Sequence, residues 1–87
     1  MKRTVTITDE AGMHARPASQ LSKKAGTYEN TIQISYQDNE ANLKSVMGVM
    51  SLGIPQNAEV TLEADGDDAE EVLDTLVETM KELGLTE

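Results

Sequence analysis

Apolar positions in this chain change period several times, and each change marks a predicted element. Arg3, Val5 and Ile7 alternate at the two-residue repeat of a strand. Asp9-Glu10-Ala11-Gly12 then reads as a turn. Ala18, Leu21 and Ala25 recur at helical spacing, which predicts a helix from about Pro17 to Ala25. Pro17 suits the first helical position, and Gly26 is placed to end the helix in a left-handed conformation. Ile32, Ile34 and Tyr36 alternate as a second strand, Asp38-Asn39 marks a turn, and Ala41 with Leu43 predicts a short third strand. Ser45 is a good N-cap for a short helix ending near Gly53, with Pro55 just beyond. Val60, Leu62 and Ala64 form the last strand. A final helix follows, with Asp67 and Glu70 at capping-box spacing, an apolar stripe of Val72, Leu73, Leu76, Val77, Met80 and Leu83, and Gly84 after its last apolar position.

The resulting order, β-α-β-β-α-β-α, has an antiparallel sheet with helices packed on one face as its simplest compact solution, an α+β fold. No linker, repeat or low-complexity segment interrupts it, so residues 1–87 are expected to form one domain. The second helix carries apolar residues on more faces than a short surface helix needs. With Val49 and Leu52 toward the core, Met47 and Met50 point partly outward, and with Val46 they are candidate partner-binding residues. Methionine often fills gaps in cores, and it also suits surfaces that adapt to several partners.

The 87 residues suffice for one small core and leave little room for a deep cleft. Without cysteine, neither a disulfide framework nor a thiolate metal site is possible. No apolar run is long enough for a signal peptide or a membrane span, which makes the cytoplasm the default location. The formal charge of −9 argues against nucleic acid as a direct partner. Its distribution is uneven. From Glu59 onward Lys81 is the only base, whereas Arg16, Lys23, Lys24 and Lys44 all lie in the first half. Those bases are either scattered over the surface or gathered into one positive face suited to an anionic group or an acidic partner.

The candidate chemistry lies in Gly12-Met13-His14-Ala15-Arg16-Pro17-Ala18-Ser19. Arg16 and a titratable imidazole at the positive end of a helix oppose the helix dipole, by about 0.3–1 kcal/mol for a cation. A bound anion reverses that sign, because free backbone N–H groups and an arginine fork both suit phosphoryl oxygens. Two readings of His14 stay open on this evidence: an ordinary loop residue near a cap, or a nucleophile that takes a phosphoryl group onto a ring nitrogen. Ser45 is equally double-edged, as a cap contributing about 1 kcal/mol or as a phosphorylation site beside Lys44. Lys23, Lys24 and Lys44 would then form a polar rim around the methionine patch.

Other chemistries fit poorly. One histidine and no cysteine would leave a metal to carboxylates that lie along a solvated helix face. A Ser-His-Asp hydrolase needs a pocket that so short a chain does not offer. A binding module that keeps the serine switch and the methionine patch without carrying phosphoryl groups is the alternative of a different class.

The Gly12–Ser19 run and the run Lys44-Ser45-Val46-Met47-Gly48-Val49-Met50-Ser51-Leu52-Gly53 together resemble the two signatures of the histidine-containing phosphocarrier (HPr) family of the phosphoenolpyruvate-dependent sugar phosphotransferase system. The resemblance covers essentially the whole chain. It implies an open-faced β-sandwich of four antiparallel strands and three helices. It also implies that His14 accepts a phosphoryl group through Nδ1 from phosphorylated enzyme I and passes it to enzyme IIA components. Arg16 would stabilise that group, and the backbone N–H groups of Ala15 and Arg16 would receive it. The Lys-Ser-Val-Met form resembles the branch in which a kinase/phosphorylase modifies Ser45, the modified carrier being a poorer acceptor and a corepressor of a catabolite-control transcription factor. No cofactor is implied, and a monomer is expected. Met13 stands where leucine or isoleucine is common, Phe and Trp are absent, and the last third is unusually acidic.

Overall fold

Four antiparallel strands form one sheet in the order β1-β4-β2-β3, in a computed structural model that describes all residues 1–87. The strands are β1 (Lys2–Thr6), β2 (Ile32–Tyr36), β3 (Asn39–Asn42) and β4 (Glu59–Ala64). The helices are α1 (Ala15–Ala25), α2 (Val46–Ser51) and α3 (Ala69–Glu82). This is the predicted element order and the predicted α+β, open-faced architecture.

Alternation along the strands decides which face is covered. Ile32 and Ile34 of β2 and Val60, Leu62 and Ala64 of β4 are buried, whereas Thr4, Glu59 and Glu63 are exposed on the other face. There the Thr4 and Thr61 hydroxyls meet at 3.2 Å, so the open face is polar. From above, α3 contributes Val72, Leu73, Leu76 and Met80, and α1 contributes Ala18, Leu21 and Ala25, all to one continuous core. Each fully buried Leu or Ile side chain there contributes about 1.5–3 kcal/mol. Arg3 lies on the covered face but at the sheet edge, where it reaches Asp74 at 3.2 Å and Glu70 at 3.7 Å on α3. No helix is long and apolar enough to cross a membrane.

Helix ends correct the sequence reading in three places. α1 begins two residues early, with His14 as its N-cap, so Pro17 occupies the third helical position. The proline ring is tolerated there because that N–H has no intrahelical acceptor in any helix. Gly26 is right-handed, with φ −65°. The helix unwinds through tighter turns, Thr27 N–H to Lys24 O and Tyr28 N–H to Ala25 O, and therefore does not need a left-handed stop. The N-cap of α3 is Asp68, and neither it nor Asp67 supplies a side-chain cap. Asp68 Oδ1 instead accepts from Asn30 Nδ2 at 2.8 Å, a tertiary contact that displaces the local one.

Other local expectations hold or shift slightly. The β2–β3 hairpin turns at Gln37-Asp38, with Gln37 at φ 57°, so Asn39 already belongs to β3 while Leu43 lies buried just past its end. Gly84, at φ 77°, closes α3 in a Schellman motif: Leu85 N–H bonds Met80 O and Gly84 N–H bonds Lys81 O. The tail is then tied to β1 by Thr86 Oγ1, which donates to Thr6 O at 2.6 Å. The packing of α3 on α1 sets Glu82 and Leu83 beside the N-terminus of α1.

Candidate functional site

Two anchors hold the segment that presents His14. Met13 is only 4% exposed and donates its N–H to Ile54 O at 3.0 Å, so the residue before the histidine is part of the core. Gly12, at φ 66°, packs so closely on Ile54 and Pro55 that a side chain has no room. The chain enters α1 from this clamp, and Ala18 N–H is the first to bond back, to His14 O. Ala15 and Arg16 therefore offer backbone N–H groups without intrahelical acceptors.

His14 is partly exposed, at 43% of its side chain, and its Nε2 lies 3.2 Å from Asp9 Oδ2. Asp9 is itself fixed, since its Oδ1 accepts the Ala11 N–H at 2.9 Å in an Asx turn. That backbone hydrogen bond, followed by the one from His14, holds the Asp9 carboxyl below its ordinary value of 3.8. Asp9, His14, Arg16, Pro17, Gln20, Glu82 and Leu83 line a shallow cavity of about 300 Å³. Arg16 is exposed and in no ion pair, unlike Arg3. Chemically, the cavity joins an unpaired guanidinium, free helix N–H groups and an imidazole with Nδ1 unpartnered by protein.

The remaining basic residues are not gathered round His14. Lys23 and Lys24 lie near the other end of α1, about 12 Å further along at 1.5 Å per residue. Gln20 belongs both to the histidine cavity and to a second depression lined by Lys23, Lys24 and Thr27, so the two are continuous along one helix face. Lys24 Nζ stands 5.9 Å over the Tyr28 ring, and Lys44 Nζ donates to Tyr28 O at 2.7 Å. Tyr28 thus brings Lys24 and Lys44 together next to Ser45. On α2, which packs on α1, Met47 is 85% exposed and Met50 38%, Val46 is half-buried, and Val49 is buried as expected. Ser45 caps α2, its Oγ accepting the Gly48 N–H at 3.1 Å.

A family described as the PTS HPr component phosphorylation site matches residues 1–82. The chain belongs to the HPr family of phosphotransferase-system phosphocarriers. It is similar over its full length to the mycoplasma HPr, with 39% identity, 99% of that chain covered and a TM-score of 0.96. It is also similar to a protein described as HPr-C-His from Thermoanaerobacter tengcongensis, at 36% identity, covering 100% of this chain and 98% of that one, with a TM-score of 0.88. An HPr described as a dimer, from the same organism, matches at 37% identity over 95% of this chain and 94% of that one, with a TM-score of 0.73.

The structure places His14 and Arg16 in one cavity and leaves Met47 and Met50 exposed on α2 beside Ser45, and three neighbours of the histidine are residues that sequence reasoning missed. Gln20 and Glu82 reach the cavity only through the packing of α3 on α1. Asp9 was legible only as a turn residue. An Asp two residues before a backbone donor signals an Asx turn, and its second oxygen is then free for a side chain nearby.

Proposed function

We propose that this HPr relays phosphoryl groups through His14, from phosphorylated enzyme I to enzyme IIA components. The observation that carries this reading is the half-exposed His14 at the α1 N-cap, with no protein partner on Nδ1 and with the N–H groups of the next two residues, Ala15 and Arg16, unbonded within the helix. A phosphoryl group on Nδ1 would meet those dipoles and the unpaired Arg16 guanidinium, so the positive end that is unfavourable when empty becomes favourable when loaded. The exposed Met47 and Met50 and the half-buried Val46, with Lys23, Lys24 and Lys44, form the docking surface for acidic partner proteins.

Ser45 is the regulatory position in this reading. A kinase/phosphorylase would add a dianion at the α2 N-cap beside Met47, weakening docking of enzyme I and creating a surface for a catabolite-control transcription factor. Residues 1–87 act as one unit, in the cytoplasm, and as a monomer; sedimentation at micromolar concentration distinguishes that from a dimer.

The decisive experiment is intact mass after incubation with enzyme I and phosphoenolpyruvate, repeated after mild acid, which hydrolyses phosphohistidine and spares phosphoserine. One acid-labile phosphate, absent in His14→Ala, is the expected result. No uptake with an enzyme I competent on another carrier would leave a regulatory module acting through Ser45.

A further inference from the structure

We propose that Asp9 is the positioning residue of the phosphoryl-transfer site: its carboxylate holds the His14 ring through Nε2, keeping the proton on that nitrogen and the lone pair on Nδ1. This rests on His14 being the phosphoryl acceptor. The geometry is specific. Each Asp9 oxygen has a separate task, Oδ1 accepting the Ala11 N–H at 2.9 Å and Oδ2 facing Nε2 at 3.2 Å. An ionised carboxylate only accepts, so the ring nitrogen facing it must carry the hydrogen, and in the neutral imidazole the other nitrogen then carries the lone pair. The same carboxylate is held ionised by its two hydrogen bonds. The other charged groups lining the cavity, Arg16 from α1 and Glu82 from the end of α3, have no hydrogen bond to either ring nitrogen.

The arrangement removes a proton transfer from the reaction. The Nδ1 lone pair forms the N–P bond while the donor's bond to phosphorus breaks, its electron pair returning to the donor atom. The Nε2 hydrogen stays in place throughout. The ring consequently becomes a phosphoimidazolium, and its positive charge is balanced by Asp9. In the onward step the acceptor's lone pair attacks phosphorus, the N–P pair returns to Nδ1, and the same neutral tautomer is regenerated. Orientation and charge balance thus come from one side chain that never touches the phosphoryl group.

Two substitutions separate this role from a merely structural one. Asp9→Ala removes both hydrogen bonds. Asp9→Asn retains an oxygen for the Ala11 N–H and so keeps the turn, but places an NH2 donor against Nε2, which drives the ring hydrogen to Nδ1. The ring tautomer is read by 15N NMR of His14, and phosphoryl uptake from enzyme I is read by rapid quench. Wild-type protein is expected in the Nε2–H form, Asp9→Ala in a mixture, and Asp9→Asn chiefly in the Nδ1–H form. Asp9→Asn should also be the slower acceptor of the two although its fold is the better preserved. Its uptake should fall by as much as about 10⁴-fold, the cost of a wrong tautomer in the Ser-His-Asp hydrolytic triad. A structural role predicts the opposite ranking. An unchanged tautomer, or uptake lost in proportion to stability, overturns the Asp9 role while wild-type uptake leaves His14 as acceptor. Absence of uptake by the wild type overturns both.

Discussion

Gly12 lies against Ile54 with no space for a Cβ between them: one built at position 12 would overlap the Ile54 carbonyl oxygen and stand 2.9 Å from Pro55 Cα. The same carbonyl accepts the Met13 N–H, so the segment leaving α2 is the wall against which the histidine loop is set. A side chain here meets a left-handed φ of 66° and the wall together. Left-handed backbone alone costs a non-glycine residue about 1–3 kcal/mol. Gly12→Ala is expected to lose at least about 2 kcal/mol in urea unfolding and to accept phosphoryl groups more slowly, because His14 moves with the loop. A loss below about 0.5 kcal/mol would show that the wall yields and that the clamp does not position the histidine.

Arg16 should behave in the opposite way. It is exposed and unpaired, so its truncation falls among surface changes of about ±0.5 kcal/mol in stability. In the proposed transfer through His14 it would face developing charge, and losing one such donor costs on the order of a hundredfold in rate. Arg16→Ala, compared with wild type by rapid quench and by thermal unfolding, should separate these two numbers widely. Equal losses in both would return Arg16 to a structural role.

The contrast between Gly12 and Asp9 shows how far the sequence could be read. Strand and helix positions were legible because burial follows period: Val60, Leu62 and Ala64 alternate inward, and Leu73, Leu76 and Met80 recur on one helical face. Ser45 was legible as a cap because the cap is a local contact, with Gly48 three residues on. Helix ends decided by tertiary contacts were not. Asp68 bonds Asn30 from 38 positions away, and that partner leaves no trace in the local pattern. The site divides along the same line. His14 and Arg16 announce themselves by chemistry at a helix start, whereas Glu82, the last residue of α3, arrives at the cavity only because α3 packs on α1.

Met47 provides a test of the docking surface that leaves folding untouched. With 85% of it exposed, it contributes little to the core, so Met47→Glu should change stability by no more than about 0.5 kcal/mol. If this patch rimmed by lysines is the proposed docking surface for acidic partners, a new negative charge in it should weaken enzyme I binding by more than about 1 kcal/mol. Titration calorimetry measures this directly. Unchanged affinity would move the docking surface away from α2.

For Ser45 two substitutions part the cap from the switch. Ser45→Ala removes the acceptor for Gly48 N–H and should cost about 1 kcal/mol. Ser45→Asp keeps an N-cap acceptor and should be nearly as stable as wild type, yet it places a charge beside Met47. Phosphoryl uptake from enzyme I should therefore slow in Ser45→Asp while remaining close to normal in Ser45→Ala. If both variants accept at the wild-type rate, charge at Ser45 does not reach the docking surface.

Asp9 gives the molecule a predictable acid dependence. Its carboxyl is held below the ordinary 3.8, first by the Ala11 N–H and then by His14. Between that ordinary value and the lower folded one the unfolded chain binds a proton that the folded chain does not, so stability rises with pH there. The contribution is complete above the ordinary carboxylate range and is lost as pH falls through the folded value. Asp9→Asn cannot titrate. Urea unfolding of both proteins from pH 7 to 3 should show wild type ahead at neutral pH and the gap closing below about pH 4. A gap that stays constant to pH 3 would mean that the Ala11 and His14 hydrogen bonds do not favour the charged form of Asp9, which then could not balance charge on the His14 ring.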